Sequence, residues 1–329
     1  MKYMKKIIVD MMGSDHGSPV TVQGVLDFLA KHDDVEIYAV GKIEELKALE
    51  GKATLIDARD VVPMETGALE VLRYKGSSMM VAINKMLELQ ADAIVGAGST
   101  AAFLTANTLK LKLIPGVERA ALMSPFPTKI KGKKVTVLDI GANNETTPEQ
   151  LVQFAQMGRI YSQKIFNVVE PKVYLLSNGA EDKKGTEEIK HANAKLREMN
   201  FPGFAGNIEA REALDGEVDV LVSGGFAGNI FLKGTEGVAK MMNEMIKKAF
   251  KRNIFSKIGY LLAKKGFNEM KATMDYKSTG GAMLLGINGV VVKAHGSSDA
   301  FSFYSALEVA YKMVNADVIG FIKEGFKHE

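Results

Sequence analysis

The sequence predicts a doubly wound α/β fold, in which helices cover both faces of a mostly parallel sheet and give three layers. Short apolar runs of strand length alternate with amphipathic helical segments along the chain. Several of these runs end in a Gly-rich turn that opens the next helix. The 47% apolar content of the 329 residues is sufficient for a large core. No low-complexity linker interrupts the alternation, so we expect one domain over residues 1–329.

Each element is predicted from its own pattern. The strand patterns are short apolar runs, most of them followed by Gly, Asp or Ser, and they lie at residues 6–9, 35–40, 54–58, 93–95, 120–124, 135–140, 173–176, 204–208, 219–223 and 290–295. The helical patterns repeat apolar residues at intervals of three and four, mostly after Pro or a hydroxyl residue, and they lie at residues 19–29, 43–49, 77–89, 99–109, 149–165 and 186–199.

Three strand ends carry turns suited to an anion. The first follows the buried strand in residues 92–108, where Ser99 and Thr100 open a helix after two glycines. Related patterns occur at residues 219–228 and 290–300. The free N–H groups at the start of a helix carry partial positive charge, and phosphate is their usual ligand. Because open α/β sheets bind ligands outside the carboxyl ends of their strands, we expect one cleft that binds phosphate.

Composition excludes several classes of protein and chemistry. The net charge of +3 is nearly balanced, so nucleic acid is not an expected partner. The absence of cysteine excludes disulfides, Cys-ligated zinc and a thiol nucleophile, and fits a reducing compartment. Asp10 interrupts the first apolar run, which is therefore neither a signal peptide nor a membrane span.

Residues 240–270 depart from the alternation and predict a protruding amphipathic helical hairpin. One side of its second helix is apolar and is formed by Ile254, Phe255, Ile258, Leu261 and Leu262. Gly266 is predicted to end this helix. The surrounding cations are Lys247, Lys248, Lys251, Arg252, Lys257, Lys264 and Lys265. Such a segment can lie in an anionic membrane interface, or it can pack on a partner subunit. The sequence leaves both interpretations open.

Six ordered motifs resemble those of the PlsX family of phosphate acyltransferases, over nearly the full chain. The segment DMMGSDH at residues 10–16 is similar to the family's DxMGGDH, and GAGST at residues 96–100 is similar to its SAGNTG turn. The other four are DIGAN at residues 139–143, GFAGN at 225–229, GGAMLLG at 280–286 and HGSSDA at 295–300. This chain departs from the family pattern at Ser14, Ser99, Ala101 and Gly224, which stand in place of Gly, Asn, Gly and Asp.

The resemblance implies an enzyme that converts the acyl thioester of acyl carrier protein and inorganic phosphate into acyl phosphate. A membrane acyltransferase then transfers that acyl group to glycerol 3-phosphate in bacterial phospholipid synthesis. The resemblance also implies the fold of isocitrate and isopropylmalate dehydrogenases and of phosphotransacetylases. It further implies a homodimer attached peripherally to the membrane, which we expect to be cytoplasmic. Phosphate is already a competent nucleophile, so this reaction requires no metal or organic cofactor.

Candidate site residues follow from the turns and the motifs. Phosphate is assigned to Gly98, Ser99 and Thr100, to Gly228 and Asn229, and to Ser297 and Ser298. His16 or His295 is the candidate general acid or oxyanion donor, Asp15 orients His16, and Asp10 holds its turn near the phosphate. Asn143 is the candidate oxyanion donor. Arg73 and Lys75 are further cations for an acidic ligand, although such residues more often form a solvated face.

Three other functions compete with this interpretation. The first is a nicotinamide-dependent dehydrogenase, because residues 96–101 satisfy the dinucleotide-binding pattern GxGxxA. That pattern also requires an acidic residue at the end of the next strand, and the nearest one, Glu118, lies in a predicted loop. A membrane-surface scaffold would leave the three turns unused. A soluble phosphotransacetylase that acts on acyl coenzyme A is the nearest alternative. With neither a cysteine nor a GxSxG motif, direct transfer to phosphate is favoured over an acyl-enzyme.

Overall fold

A single mixed sheet forms the centre of the computed structural model, which describes residues 3–67, 69–274 and 280–327. Within these residues the sheet has eleven strands: β1 Lys5–Asp10, β2 Val35–Gly41, β3 Thr54–Asp57, β4 Ala93–Gly96, β5 Ala121–Pro127, β6 Lys134–Leu138, β7 Val173–Ser177, β8 Phe204–Glu209, β9 Val220–Val222, β10 Ala282–Leu285 and β11 Val290–Lys293. The α-helices described are α1 Ser18–Leu29, α2 Ser78–Glu88, α3 Thr100–Leu111, α4 Pro148–Phe166, α5 Glu187–Glu198, α6 Gly225–Lys251, α7 Ile254–Met274, α8 Ala300–Asn315 and α9 Val318–Gly325.

The sheet consists of two parallel halves that run in opposite directions. The strand order is β3-β2-β1-β4-β11-β10-β5-β6-β9-β7-β8. β10 is antiparallel to both β11 and β5, and β5 is antiparallel to β6, while the other neighbouring strands are parallel. The carboxyl ends of β1, β4 and β11 therefore meet at one edge, called here the upper edge. Those of β6, β7, β8 and β9 meet at the opposite, lower edge.

Apolar residues of the strands alternate between two core layers, which accounts for the three-layer fold. In β1, Val9 packs in the layer that contains Phe28 and Phe303 from α1 and α8. Its neighbour Ile8 packs in the layer that contains Met79 and Phe103 from α2 and α3. Both faces of the central strands are thus covered, as parallel strands require. The predicted doubly wound α/β class with a mostly parallel sheet is confirmed.

Two predicted local features are wrong. Residues 43–49 form two 3-10 turns, Ile43–Glu45 and Lys47–Leu49, because so short a segment between two strands cannot sustain an α-helix. Gly266 does not end its helix, since α7 continues to Met274. A glycine inside a helix costs only about 1 kcal/mol, which the packing of a long hairpin offsets.

Helix α6 crosses the sheet from the lower edge to the upper edge and then projects beyond it. At its start, Gly225 lies against the backbone of Asn143, and farther along Phe231 packs on Phe126 at a ring distance of 5.6 Å. The hairpin with α7 is closed by Phe250, whose ring lies 4.8 Å from that of Phe267. None of the described helices is long and apolar enough to cross a membrane.

Candidate active site

A cavity of about 460 Å³ lies on one face of the sheet, between β5, α6 and the loops of the upper edge. Its floor includes Lys293 and Ala282, which are paired across β11 and β10, and Ser124 of β5. One end is polar and is lined by Asp15, Thr100, Lys293, His295, Ser297 and Ser298. The rest is lined by the apolar residues Leu122, Phe126, Ile140, Leu232 and Ala239, and by the polar residues Asn229, Lys233, Thr235 and Glu236 of α6. The cavity therefore joins a charged end to an apolar groove.

Close backbone contacts hold the upper-edge loops around the polar end. Gly13 has a φ of +80°, and a Cβ atom there would lie 2.8 Å from the Cα of Gly98. The N–H of Asp15 donates to the carbonyl oxygen of Gly296 at 2.9 Å. The first and third of the predicted anion turns thus lie together, with the loop after β1 between them.

Lys293 places a buried cation at the polar end of the cavity. Its side chain is only 5% exposed, and Nζ donates to the carbonyl oxygens of Ala97, at 3.1 Å, and Ala294. Burial lowers the pKa of Lys293 to about 8, while the carboxylates of Asp10 and Asp15 act to raise it. At neutral pH the ammonium group is charged, and such a group can bind phosphate or stabilise an oxyanion.

Asp10 lies behind Lys293, away from the lining of the cavity. Burial raises the pKa of this carboxyl to about 6, against the hydrogen bonds from Ser78 and from the N–H of Met12, at 3.1 Å, which favour its charged form. Asp10 holds its own turn and interacts electrostatically with Lys293.

His295 has a hydrogen-bond pattern that fixes its tautomer. The N–H of Ser297 donates to Nδ1 at 3.3 Å, and the Ser297 hydroxyl lies 2.9 Å from the same atom. A backbone N–H can only donate, so Nδ1 is the acceptor and the proton of the neutral ring is on Nε2. Burial and the charge of Lys293 lower the pKa of His295, which also favours the neutral ring. The neutral ring can therefore donate a hydrogen bond from Nε2.

At the lower edge, Asp139 organises its own loop. Its Oδ1 accepts hydrogen bonds from the N–H groups of Leu122, Gly141 and Ala142, and its Oδ2 accepts from the N–H and the side-chain amide of Asn143. Burial raises the pKa of Asp139, although these bonds favour the charged form. Both carboxylate oxygens of Asp139 therefore accept hydrogen bonds from groups of this chain.

The structure therefore corrects the expectation for Asn143. Its amide nitrogen donates to the carbonyl oxygen of Ala120 and to Asp139 Oδ2, both at 2.8 Å, which uses both of its protons. The residue does not line the cavity. In this arrangement Asn143 has no proton left for an oxyanion, so we leave it out of the proposed chemistry.

The second Gly-rich turn also differs from the expected geometry, because β9 runs opposite to β4 and β11. Gly228 is packed against the backbone of Asp139 with no space for a side chain. Of the two predicted phosphate ligands, Gly228 and Asn229, only Asn229 lines the cavity, at the end away from Lys293. Gly224 lines a separate cavity of about 1170 Å³ at the lower edge. A carboxylate at this position, as the resemblance leads us to expect, would thus lie outside the first cavity.

Comparison with known proteins identifies the family. A family model described as "Fatty acid synthesis protein" matches residues 5–320. The phosphate acyltransferase of an Exiguobacterium species is 41% identical over 324 residues, covering 97% of this chain and 98% of the relative. That of Bacillus subtilis is 39% identical over 329 residues, covering 98% of each. The chain belongs to the phosphate acyltransferase family. This membership makes it an acyltransferase and does not favour the scaffold alternative.

Solved structures with the same fold support the predicted architecture of this phosphate acyltransferase family member. A phosphotransacetylase from Streptococcus pyogenes has a TM-score of 0.59 at 17% identity, covering 96% of this chain and 94% of that one. A branched-chain phosphotransacylase from Enterococcus faecalis has a TM-score of 0.56 at 15% identity, covering 94% and 100%. At these identities the likeness concerns the fold alone.

Several predicted site residues lie beside the cavity and not in its lining. The side chain of His16 is exposed, and its backbone N–H donates to Ser14 Oγ at 3.3 Å. Ser99 is buried, and its hydroxyl donates to the carbonyl oxygen of Met64 at 3.2 Å, so it anchors a neighbouring loop. Arg73 and Lys75 are exposed and do not line the cavity.

Sequence reasoning about this phosphate acyltransferase family member missed Lys293. The residue ends an apolar strand run, VVVK, directly before the HGSSDA motif. A lone cation at the end of a buried strand is itself a signal, because a lysine is almost never fully buried without a partner or a role.

Proposed function

We propose that this chain transfers a fatty acyl group from the thioester of acyl carrier protein to inorganic phosphate, releasing acyl phosphate and free carrier. The single observation that supports this most is the form of the cavity, in which a buried cation and a helix start adjoin an apolar groove. A phosphate dianion fits the first part, and an acyl chain fits the second.

The phosphate-binding site is assigned to Lys293 and the first turn of α3. Ser99 precedes α3 without a side-chain cap, so the first N–H groups of the helix stay available for a ligand. Thr100 adds a hydroxyl at the cavity. Ser297 and Ser298, from the loop after β11, line the same end. Oriented donors together with one cation suit a tetrahedral dianion.

The acyl chain is assigned to the groove that continues beneath α6. Leu122 and Phe126 of β5 form its floor, and Leu232 and Ala239 of α6 form its cover. Burial of each CH₂ group is worth about 0.8 kcal/mol, so a long chain gains substantial affinity there.

The proposed reaction is a direct displacement. A phosphate oxygen attacks the thioester carbonyl carbon, the new C–O bond forms, and a tetrahedral oxyanion develops near Lys293. The C–S bond then breaks, and the proton lost from hydrogen phosphate passes to the carrier thiolate. Nε2–H of the neutral His295 ring is assigned as a hydrogen-bond donor to the oxyanion or the leaving sulfur. The residues named here bind and orient the reactants and stabilise developing charge, and no covalent enzyme intermediate is needed.

The test is formation of acyl phosphate by the purified chain. Acyl carrier thioester with phosphate should yield acyl phosphate, trapped as the hydroxamate, together with free carrier thiol in equal amount. Acyl coenzyme A assayed at equal concentration tests the phosphotransacetylase alternative, and faster turnover of that substrate would favour it. Carrier consumption that is independent of phosphate would contradict the proposal.

We also propose that the protein is a homodimer. The outer face of α6 exposes large apolar side chains at helical spacing, namely Phe226, Ile230, Val238, Met241, Met242 and Met245. A second copy of this face is a suitable cover, since most soluble oligomers are symmetric dimers. Light scattering of the purified chain tests this, and Met241→Glu with Met245→Glu should yield monomers.

Peripheral membrane attachment is proposed for the end of the hairpin. Phe255 is 80% exposed and Leu262 is 85% exposed, and Ile254, Ile258 and Leu261 are exposed beside them. A cytoplasmic enzyme held at the surface would deliver acyl phosphate directly to the membrane glycerol 3-phosphate acyltransferase. Ile258→Glu with Leu261→Glu should abolish sedimentation with anionic liposomes while activity in solution persists. Unchanged sedimentation would favour a hairpin packed on protein instead.

A further inference from the structure

Helix α6 carries a row of lysines that begins at the cavity and leads away from it. Lys233, Lys240 and Lys247 recur every seven residues, which is close to two helical turns, so they share one side of the helix. Lys233 lines the cavity, whereas Lys240 and Lys247 are exposed on the part of α6 that extends past the upper edge. Each interval is about 10 Å, so the row extends about 20 Å from the cavity.

The row is positively charged and weakly compensated. Lys233 pairs with Glu236 at 3.0 Å, but neither Lys240 nor Lys247 forms an ion pair with any residue that the structure describes. Between residues 240 and 252, Glu244 is the single acid, and the cations are Lys240, Lys247, Lys248, Lys251 and Arg252. Glu244 is a helical neighbour of both Lys240 and Lys247 and offsets part of their charge, but five cations against this one acid leave the segment strongly positive.

This lysine row is separate from the other two exposed surfaces of the hairpin. Helical geometry places it about a quarter turn or more from the apolar face formed by Val238, Met241 and Met245. It also lies on α6, whereas the most exposed apolar residues of the hairpin, Phe255 and Leu262, lie on α7. A dimer contact and a membrane contact can thus form while the row stays accessible.

We infer that Lys240 and Lys247 bind the acidic surface of the acyl carrier protein and direct its thioester into the cavity at Lys233. This inference rests on the proposed function, because it assigns a docking site to the substrate of that reaction. A carrier-bound acyl group must arrive from the protein surface, and the row is a charged surface continuous with the cavity. Charges at the rim of an interface mainly accelerate and orient the encounter.

The test compares two double charge reversals. Lys240→Glu with Lys247→Glu should raise the KM for acyl carrier by about tenfold or more at low ionic strength, and leave kcat unchanged. Turnover of the same acyl group on pantetheine, which lacks the carrier protein, should not change. Lys257→Glu with Lys264→Glu on α7 changes the charge equally and is the matched control, for which we expect a normal KM for acyl carrier.

The outcomes separate this inference from the proposed function. Equal KM increases in both variants would overturn it, because the effect would then be one of net charge. If Lys240→Glu with Lys247→Glu leaves the KM for acyl carrier unchanged but abolishes binding to anionic liposomes, the inference is wrong and the lysines contact the membrane. Should the wild-type chain form no acyl phosphate from either thioester, the proposed function fails. Fluorescence anisotropy of a labelled carrier would then still show whether the row binds it.

Discussion

The upper and lower edges of the sheet carry similar sequence patterns and use them differently. Each has a buried aspartate at or just after a strand end, and each has a glycine-containing turn nearby. At the upper edge, Asp10 interacts electrostatically with Lys293, which lines the cavity. At the lower edge, every acceptor position of Asp139 is directed at the chain's own N–H groups.

This difference shows what separates a binding turn from a structural one. A glycine after a strand permits close approach of backbone, and the approaching group can be a ligand or another loop. At Gly228 the approaching group is another loop, because the backbone of Asp139 occupies the space beside this glycine. The starts of α3 and α6 both lack a side-chain cap, but Thr100 of α3 lines the cavity that contains Lys293, whereas Gly224 before α6 lines the separate cavity of the lower edge. The position of the remaining donors, and not the glycine pattern, distinguishes the two edges.

The largest effect is expected for the buried lysine of the upper edge. Lys293→Met should lower the rate of acyl phosphate formation by about 1000-fold, because it removes the charge opposite the developing oxyanion. Lys134→Met is the matched control, since burial also lowers the pKa of Lys134 but this residue does not line the cavity. We expect near-normal turnover for the control. Equal losses in both variants, with circular dichroism unchanged, would contradict the assignment of the developing oxyanion to Lys293.

A second prediction separates the two histidines of the upper edge. His295→Ala should lower turnover by about 100-fold, because the Nε2–H donor is lost from the cavity. His16→Ala should have a much smaller effect, since the exposed His16 ring does not line the cavity. The measurement is kcat with saturating acyl carrier and phosphate. The reverse order of the two effects would place His16 in the chemistry and exclude the assignment to His295.

The sequence alone predicted part of the fold and part of the candidate site. Alternating patterns predicted the sheet and its helices, because strand and helix periods are local properties. The motif at residues 295–300 predicted that His295 and its neighbouring serines lie at the site. The reversal of β9 relative to β11 depends on how β10 and β5 insert between the two halves, which no local pattern encodes. For that reason the second turn was expected in the wrong place, and the commitment of the Asn143 amide was not foreseen.

At the lower edge, the expected effect is on stability. Asp139→Asn replaces one acceptor oxygen by a donor that faces other N–H groups, which should cost about 1–3 kcal/mol. Urea unfolding of the variant should show a lower midpoint with an unchanged slope. The kcat of the folded fraction should stay near normal. A normal midpoint with a lost kcat would instead show that Asp139 contacts the substrate.

The smallest predicted effect sharpens the role of Asp10. In the wild-type chain, kcat/KM for phosphate should fall as pH rises through about 8, because Lys293 then loses its proton. The Asp10 carboxylate favours the charged ammonium, so Asp10→Asn should move this fall to lower pH. Lys293→Arg should abolish the fall, since arginine stays protonated. A profile that Asp10→Asn leaves unshifted would confine Asp10 to holding its turn, as Asp139 does at the lower edge.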